Sequence, residues 1–337
     1  MNYNGNILKD KFGRVHDYLR ISLTERCNLR CFYCMPAEGI ELRPHSQFMT
    51  KNEVISIAKA FVNLGVKKIR LTGGEPLVRK DAKEIIEDLS ALPIELALTT
   101  NGILIDKYIE TFKSCGIKSL NVSLDSLQKD KLNTITRRNY FDTIISNIQL
   151  LIKHDFHVKL NAVIMRGVND NEIIDFIEFT QSNNVHFRFI EFMPFNGNKW
   201  DWSKGLSYKE MMAIITAQYG KIVLKIEDGK NDTAKNYQIA DYKGTFAVIS
   251  SVTNPFCDTC NRIRLTADGK IKNCLFSNSE TDLLSHIRAG EDIQTLILQS
   301  IWDKKAQRGG MNTFTQLSNS ILNSKNRPMV AIGGSFI

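Results

Sequence analysis

Cys27, Cys31 and Cys34 form a Cys-x3-Cys-x2-Cys run within Arg26-Cys27-Asn28-Leu29-Arg30-Cys31-Phe32-Tyr33-Cys34-Met35-Pro36, a spacing that lets three sulfurs point at one centre. Thiolates are the ligands that soft metals and iron–sulfur clusters take. A four-iron cubane usually has four cysteines, so three leave one iron open to a further ligand, as a catalytic zinc site keeps an open position. Such a cluster is reactive rather than structural. Zinc, or a group of buried small hydrophobes, is the other use of close cysteines. Zinc sites favour Cys-x2-Cys pairs with a second pair elsewhere, and no fourth ligand lies near this run.

A second set consists of Cys257 and Cys260, a Cys-x2-Cys pair, with Cys274 further on. The segment 262–275 reads as a hairpin turning at Asp268-Gly269, which carries Cys274 back beside the pair. Zinc is the natural alternative here, but a fourth protein ligand is again missing, and His286 has no partner at finger spacing. A second iron–sulfur cluster with an open iron is the more economical reading. Arg262 and Arg264 lie two apart on a strand and share a face, offering guanidinium forks for phosphate or carboxylate. The remaining cysteine, Cys115, ends an amphipathic segment before Gly116 and reads as a buried inert thiol.

The elements that must position these groups alternate. β-type runs at 19–23, 66–72, 95–99, 118–124, 157–164 and 185–192 are separated by helical patterns. In the first of these, Thr50 and Glu53 form a capping box and Gly65 a stop. Regular βα alternation predicts a parallel sheet with right-handed crossovers, open or closed into a barrel, with chemistry at the carboxyl ends of the strands. The cysteine loop, Gly73-Gly74-Glu75-Pro76, Thr99-Thr100-Asn101-Gly102, Ser123 with Asp125, and Met193-Pro194 all fall at such ends. Lys159 and Asn161 are two apart on the fifth strand, so both face one side of the sheet. Arg188 on the sixth is read the same way. Either a polar ligand sits inside, or these are solvent-facing residues.

Near 196–205 the rhythm ends in an Asn-, Gly- and Trp-rich stretch that reads as a junction, so two regions are predicted, 1–200 and 201–337. A helix over 208–219 and short strands, including 244–251, follow. With 337 residues and 43% apolar content the chain can bury an ample core. No apolar run approaches a membrane span and the start lacks a secretory apolar core, so a cytoplasmic enzyme without membrane contact is expected. The formal net charge of +8 suits an anionic ligand, whether nucleic acid or nucleotide phosphate.

The cysteine run with an aromatic before its third cysteine, followed one βα unit later by Gly73-Gly74-Glu75-Pro76, resembles the signature of the radical S-adenosylmethionine enzymes. With the second cysteine set, Cys260-Asn261-Arg262-Ile263-Arg264-Leu265 and a Gly-Gly near the end, residues 10–334 resemble the GTP 3′,8-cyclase family of molybdenum cofactor biosynthesis. That resemblance implies an α/β fold, a six-stranded partial (β/α) TIM-type barrel with a smaller C-terminal α+β cluster-binding region. It implies two 4Fe-4S clusters, one on Cys27, Cys31 and Cys34 and one on Cys257, Cys260 and Cys274. It also implies S-adenosylmethionine on Tyr33, Gly74, Ser123 and Met193, and GTP on Arg20, Arg70, Thr99, Lys159, Arg188, Arg262 and Arg264. The implied reaction is abstraction of the ribose 3′ hydrogen by a 5′-deoxyadenosyl radical and attack of C3′ on guanine C8. An external electron donor, a homodimer and transfer of the product to cyclic pyranopterin monophosphate synthase belong to the same resemblance.

An electron carrier, a radical RNA-modifying enzyme and a peptide-modifying radical enzyme are the alternatives. An electron carrier leaves Lys159, Asn161 and Arg188 without a purpose; no RNA-binding motif is appended and no nucleic-acid partner is expected; the arginine pair favours a nucleotide over a peptide. One departure stands out. The family's chains end at Gly-Gly, which enters the active site, whereas here Gly333-Gly334 is followed by Ser335-Phe336-Ile337.

Overall fold

The computed structural model describes residues 7–41 and 43–333, so the last part of the tail, 334–337, lies outside the described residues. Six βα units run in order. The strands are β1 (Tyr18–Ser22), β2 (Lys68–Thr72), β3 (Glu95–Thr100), β4 (Ser119–Ser123), β5 (His157–Ile164) and β6 (Val185–Glu191). Between them lie α1 (Lys51–Asn63), α2 (Ala82–Ser90), α3 (Ile105–Ser114), α4 (Lys129–Thr136), α5 (Phe141–Lys153) and α6 (Ile173–Ser182). Thr50 and Glu53 close the predicted capping box on α1. Helix α7 (Tyr208–Tyr219) opens with a second one, between Ser207 and Glu210.

Strands β1 to β6 are neighbours in sequence order and all parallel. The parallel run is longer than the alternation predicts. β9 (Thr245–Ile249) adds in parallel beside β6, and β10 (Arg262–Leu265) in parallel beside β1. Antiparallel strands continue each edge: β8 (Lys235–Ile239) and β7 (Val223–Lys225) beyond β9, β11 (Lys270–Lys272) and β12 (Thr281–Asp282) beyond β10. The β10–β11 connection is the predicted hairpin at Asp268-Gly269, with Gly269 at φ 68°, a left-handed conformation that glycine adopts without strain. Helices α8 (Leu284–Arg288), α9 (Gln294–Trp302), α10 (Phe314–Leu317) and α11 (Ser320–Ser324) follow, before a 3-10 turn at Met329–Ile332.

The two faces of the parallel strands differ in chemistry. Leu19, Ile21, Ile69, Leu71, Leu98, Leu120, Val122, Val158 and Leu160 join one apolar core with Val54, Ile57 and Phe61 of α1 and with the other helices. The alternate residues point the other way, and register lines them up as a polar belt. Arg264 pairs with Arg20, Arg20 with Arg70, Thr99 with Asn121, Asn121 with Lys159, and Lys159 with His186. Farther along this inner face Val163 and Ile190 join a second apolar cluster that contains Tyr33 and Met193.

Glu191, at the end of β6 and fully buried, joins the first six strands to the later part of the chain. Its carboxylate accepts from the backbone N–H of Tyr208 (3.0 Å), Val252 (2.8 Å) and Thr253 (2.9 Å), and from the Thr253 hydroxyl. Each buried donor left without an acceptor costs about 1–3 kcal/mol. Glu191→Ala is therefore expected to lower unfolding free energy by roughly 3 kcal/mol or more, measured by urea denaturation. A loss below about 1 kcal/mol would show that these donors find other partners.

Candidate active site

The cysteine loop is held from two sides. Backbone N–H groups of Arg30 and Phe32 donate to the carbonyls of Thr136 and Ile135 at the end of α4. On the other side Gly74 N–H donates to the Thr24 carbonyl at 2.7 Å and Glu75 N–H to that of Arg26 at 2.8 Å. Both glycines are needed for this approach, because a Cβ on Gly73 would lie 2.7 Å from the Thr24 carbonyl oxygen and one on Gly74 2.3 Å from that of Arg26. Glu75, completely buried, then accepts from Leu77 N–H, Asn101 N–H and the Thr100 hydroxyl. Asn101 in turn donates to Asn28 at 2.6 Å. Three strand-end loops are thus locked into one unit.

Within that unit Cys34 and Met35 N–H both donate to the Cys31 carbonyl, a single turn that brings Cys31 and Cys34 to one side. A cavity opens there, lined by Cys27, Cys31, Cys34, Tyr33, Gly73, Gly74, Asn101, Ser123, Asp125 and Val330, among others. Tyr33 donates to Asp125 at 2.6 Å. Met193 is buried in the cluster around Tyr33, with its carbonyl accepting from Asn198, and does not line the cavity. Burial pushes Cys27 up to about 11, with Glu75 adding to it. Burial also pushes Cys31 well above the usual thiol range, with Asp125, Cys34 and Cys27 adding to it. The thiols feel one another's charge, and releasing their protons calls for a cationic partner.

The second triad sits differently. Burial alone would raise Cys260, but Lys304 and Arg262 beside it bring it down to about 7. Lys304 Nζ stands 3.5 Å from Cys260 Sγ, and Arg308 N–H donates to Cys257 Sγ at 3.4 Å. Among the described residues no three His, Cys, Asp or Glu side chains are grouped to hold a single metal ion. A zinc ion needs its sulfurs about 2.3 Å from one atom, whereas a cubane takes thiolates at separate corners. As all-thiol sets of three, both triads carry the ligand type that iron–sulfur clusters take. Cys115 is partly buried against the main core.

The inner face carries a second cavity of about 320 Å³. Arg20, Lys68, Arg70, Lys159, Arg188, Lys230 and Arg262 line it, against one acid, Asp232. Asp232 is engaged by its own loop, accepting from Gly229 N–H and Asn236. Several polar atoms facing or flanking this space are buried without a partner: Thr99 Oγ1, Asn121 Oδ1, Asn161 Nδ2, Arg188 Nη2, and Nε and Nη1 of Arg262. Arg188 Nε donates to Asn161 at 2.8 Å, and the Arg262 guanidinium lies over the rings of Tyr18 and Phe256. Burial, with Arg188 and Arg70 nearby, lowers Lys159 to about 8. Burial and Arg70 lower Arg188 to about 9. Buried donors and uncompensated cations of this kind are matched by a polyanion.

Of the residues singled out from the sequence, Arg20, Arg70, Lys159, Arg188 and Arg262 line the cationic cavity, and Tyr33, Gly74 and Ser123 line the cysteine cavity. Arg264 is buried and turned toward the tail, donating to the Gly333 carbonyl at 3.4 Å. Tyr18, Lys68 and Asn121 belong to the cationic cavity too, and the sequence carried a signal for them, since each lies two residues before Arg20, Arg70 or Ser123. Lys304 and Val330 had no local signal.

Gly74→Ala is expected to force the glycine loop off the cysteine loop, since its Cβ meets backbone rather than a movable side chain. Iron retained by the first triad after anaerobic reconstitution should fall by at least half while the fold, followed by circular dichroism, persists. Full iron retention would show that the cysteine loop keeps its seat without the close glycine contact.

Residues 21–180 match the Radical SAM superfamily and residues 185–309 match Molybdenum Cofactor Synthesis C. The chain is 47% identical over 335 residues to the mitochondrial GTP 3′,8-cyclase of Arabidopsis thaliana, covering 98% of this chain and 84% of that one. It is 40% identical to the GTP 3′,8-cyclase of Listeria welshimeri, covering 97% and 99%. It is 42% identical to human molybdenum cofactor biosynthesis protein 1, covering 96% of this chain but 51% of that protein, so it spans about half the length of such relatives. Streptococcus suis SuiB bound to S-adenosylmethionine shares the fold, at 15% identity and a TM-score of 0.63 over 92% of this chain and 72% of that one. The superfamily match implies a 4Fe-4S cluster and S-adenosylmethionine. The chain belongs to the GTP 3′,8-cyclase family of radical S-adenosylmethionine enzymes.

Proposed function

We propose that the chain converts GTP to (8S)-3′,8-cyclo-7,8-dihydroguanosine 5′-triphosphate in molybdenum cofactor biosynthesis. The observation that carries this reading is the cationic cavity, with seven Lys or Arg side chains against one acid, built on the same inward strand faces that end at the cysteine cavity. A cluster on Cys27, Cys31 and Cys34 with S-adenosylmethionine would supply, on receiving one electron from the external donor, a 5′-deoxyadenosyl radical to take the ribose 3′ hydrogen; bonding of C3′ to guanine C8 is then completed by a further electron and a proton. Tyr33, Gly74 and Ser123 place the cofactor, with Met193 packed in the cluster around Tyr33; Arg20, Arg70, Thr99, Lys159, Arg188 and Arg262 place GTP, while Arg264 holds the Gly333 carbonyl. Arg20, Arg70, Lys159 and Arg188 neutralise the triphosphate, and fixing the ribose beside the cofactor removes the entropic cost of an encounter. The apolar cluster of Ile190, Phe192, Met193 and Ile332 around Tyr33 keeps water and stray hydrogen donors away.

In the same reading Cys257, Cys260 and Cys274 hold a second 4Fe-4S cluster. Strands β1 to β6 form a partial TIM-type barrel over 1–200, and 201–337 is the second cluster-binding region. Free thiols for two clusters suit a reducing compartment, so we place the enzyme in the cytoplasm. A homodimer, an external electron donor and hand-over of the product to cyclic pyranopterin monophosphate synthase complete it. Among the described residues no helix is long and apolar enough to cross a membrane.

Anaerobic incubation with GTP, S-adenosylmethionine and dithionite tests the activity. The expected result is a species with the mass of GTP but a different chromatographic position, formed with one 5′-deoxyadenosine per turnover. Deoxyadenosine with unchanged GTP would reject the cyclase reading. Arg262→Ala should weaken GTP binding by roughly ten- to a hundredfold, since a charge-assisted bond is worth about 1.5–3 kcal/mol.

Lys159 adds a pH dependence. Lowered to about 8 by burial and its arginine neighbours, it is charged below that pH and neutral above it. GTP affinity should therefore fall as pH rises from 7 through 9, and Lys159→Met should flatten the profile while weakening binding at pH 7. An identical profile in the variant would assign the dependence to another group.

A further inference from the structure

Lys304, just past the end of α9, is 2% exposed. Its ammonium donates to the Arg262 carbonyl at 2.8 Å and faces Cys260 Sγ and His16 Nδ1, each at 3.5 Å. Among the described residues no Asp or Glu pairs with it, although a buried ammonium needs a compensating charge. His16, 1% exposed, cannot supply one. Its Nε2 meets Asp10 Oδ2 at 3.0 Å, and since a carboxylate only accepts, Nε2 carries the proton and Nδ1 presents its lone pair to Lys304. Asp10, 2% exposed, is held by Arg14 at 2.6 Å, and Arg14 also donates to the Cys257 carbonyl. The result is a buried chain from Asp10 through His16 and Lys304 to a sulfur of the second triad. The countercharge it leaves for Lys304 is that sulfur.

Among the described residues no ammonium is hydrogen-bonded to a sulfur of the first triad. Cys27 Sγ has neutral donors, Leu29 N–H at 3.4 Å and Asn101 Nδ2 at 3.9 Å. The nearby Arg30 guanidinium donates instead to the Cys27 and Leu29 carbonyls, and two buried carboxyl groups, Glu75 and Asp125, stand beside the triad. Hydrogen bonds to cluster sulfurs and nearby positive charge favour the reduced, more negative state of an iron–sulfur cluster. We propose that Lys304, oriented by the Asp10–His16 pair, is a positioning residue that raises the reduction potential of the group held by Cys257, Cys260 and Cys274 above that of the group held by Cys27, Cys31 and Cys34.

This inference rests on the proposal that the second triad holds a four-iron cluster. The couple concerned is a one-electron reduction, the electron coming from an external reductant. A lysine that only ties the N-terminal segment to α9 would affect folding but not the potential.

The test uses the full chain, reconstituted anaerobically with iron and sulfide, as wild type, Lys304→Met, Lys304→Gln and Lys304→Arg. Iron is counted, thermal unfolding is followed, and each cluster is titrated with dithionite under electron paramagnetic resonance. The Cys27→Ala, Cys31→Ala, Cys34→Ala background isolates the second cluster. Wild type should carry about eight irons. Met and Gln should shift the second cluster to lower potential and leave the first in place, and Arg should restore most of the shift. Gln keeps a hydrogen-bond donor without the charge and carries the test if the Met variant does not fold. An unchanged second potential in the uncharged variants, with both clusters loaded, overturns this inference alone. Iron at only one triad in the wild type overturns the two-cluster reading and this inference with it.

Discussion

The structure depends on a parallel sheet whose inner face is lined with positive charge. Strands covered by helices are ordinarily apolar on both sides. Here Leu19, Ile21, Ile69 and Leu71 meet that requirement outward, while Arg20 and Arg70, paired in register, face inward with Lys159 and Arg188. Burial first, and then repulsion between cations held this close, lowers Lys159 and Arg188. The helix-packed outer face must supply the stability that holds them together. A polyanion would relieve the repulsion and be bound by it.

The same electrostatic contrast separates the two cysteine sets. Burial raises Cys27 and Cys31, and Glu75 and Asp125 push in the same direction. Around Cys260, Lys304 and Arg262 outweigh burial. One chain thus offers three thiols in an acidic setting and three in a basic one. On the basic side an ion network adds rigidity. Burial would raise Asp268, but the guanidinium groups of Arg327 and Arg43 hold it well below the usual carboxylate range. Arg43 also pairs with Glu25, which precedes the cysteine run, so the hairpin turn, the cysteine loop and the tail segment share one set of charges.

Local pattern carried most of the architecture. The strand 157–164 and the helix 208–219 lie where periodicity places them, and the predicted capping box of Thr50 and Glu53 closes. Alternation along a strand was sufficient to put Lys159 and Asn161 on one face, which the structure makes the inner one, and the same rule reaches Tyr18 and Lys68. What stayed hidden depends on contacts between distant parts of the chain. Nothing near residues 245–249 or 262–265 signals that these strands join the parallel run at its two edges. Lys304 has the appearance of a helix-end surface lysine until His16 and Cys260 are seen on either side of it. Arg264 shares a strand face with Arg262, but Gly333 takes its guanidinium.

The pairing of β1 with β10 also governs how the molecule can be made. Asn261, one residue before β10, donates to Asp17, one residue before β1, across 244 residues of chain. At a synthesis rate of roughly 5–20 residues per second, the first strand waits on the order of 12–50 s for its outer neighbour. Through that interval β1 can pair with β2 on one side, while its other edge presents unpaired amides and carbonyls to any strand in reach. The nascent first half of the sheet is therefore most open to mispairing on the strand that carries Arg20 and leads into the cysteine loop. Completion of the sheet at this edge is among the last events of folding rather than the first.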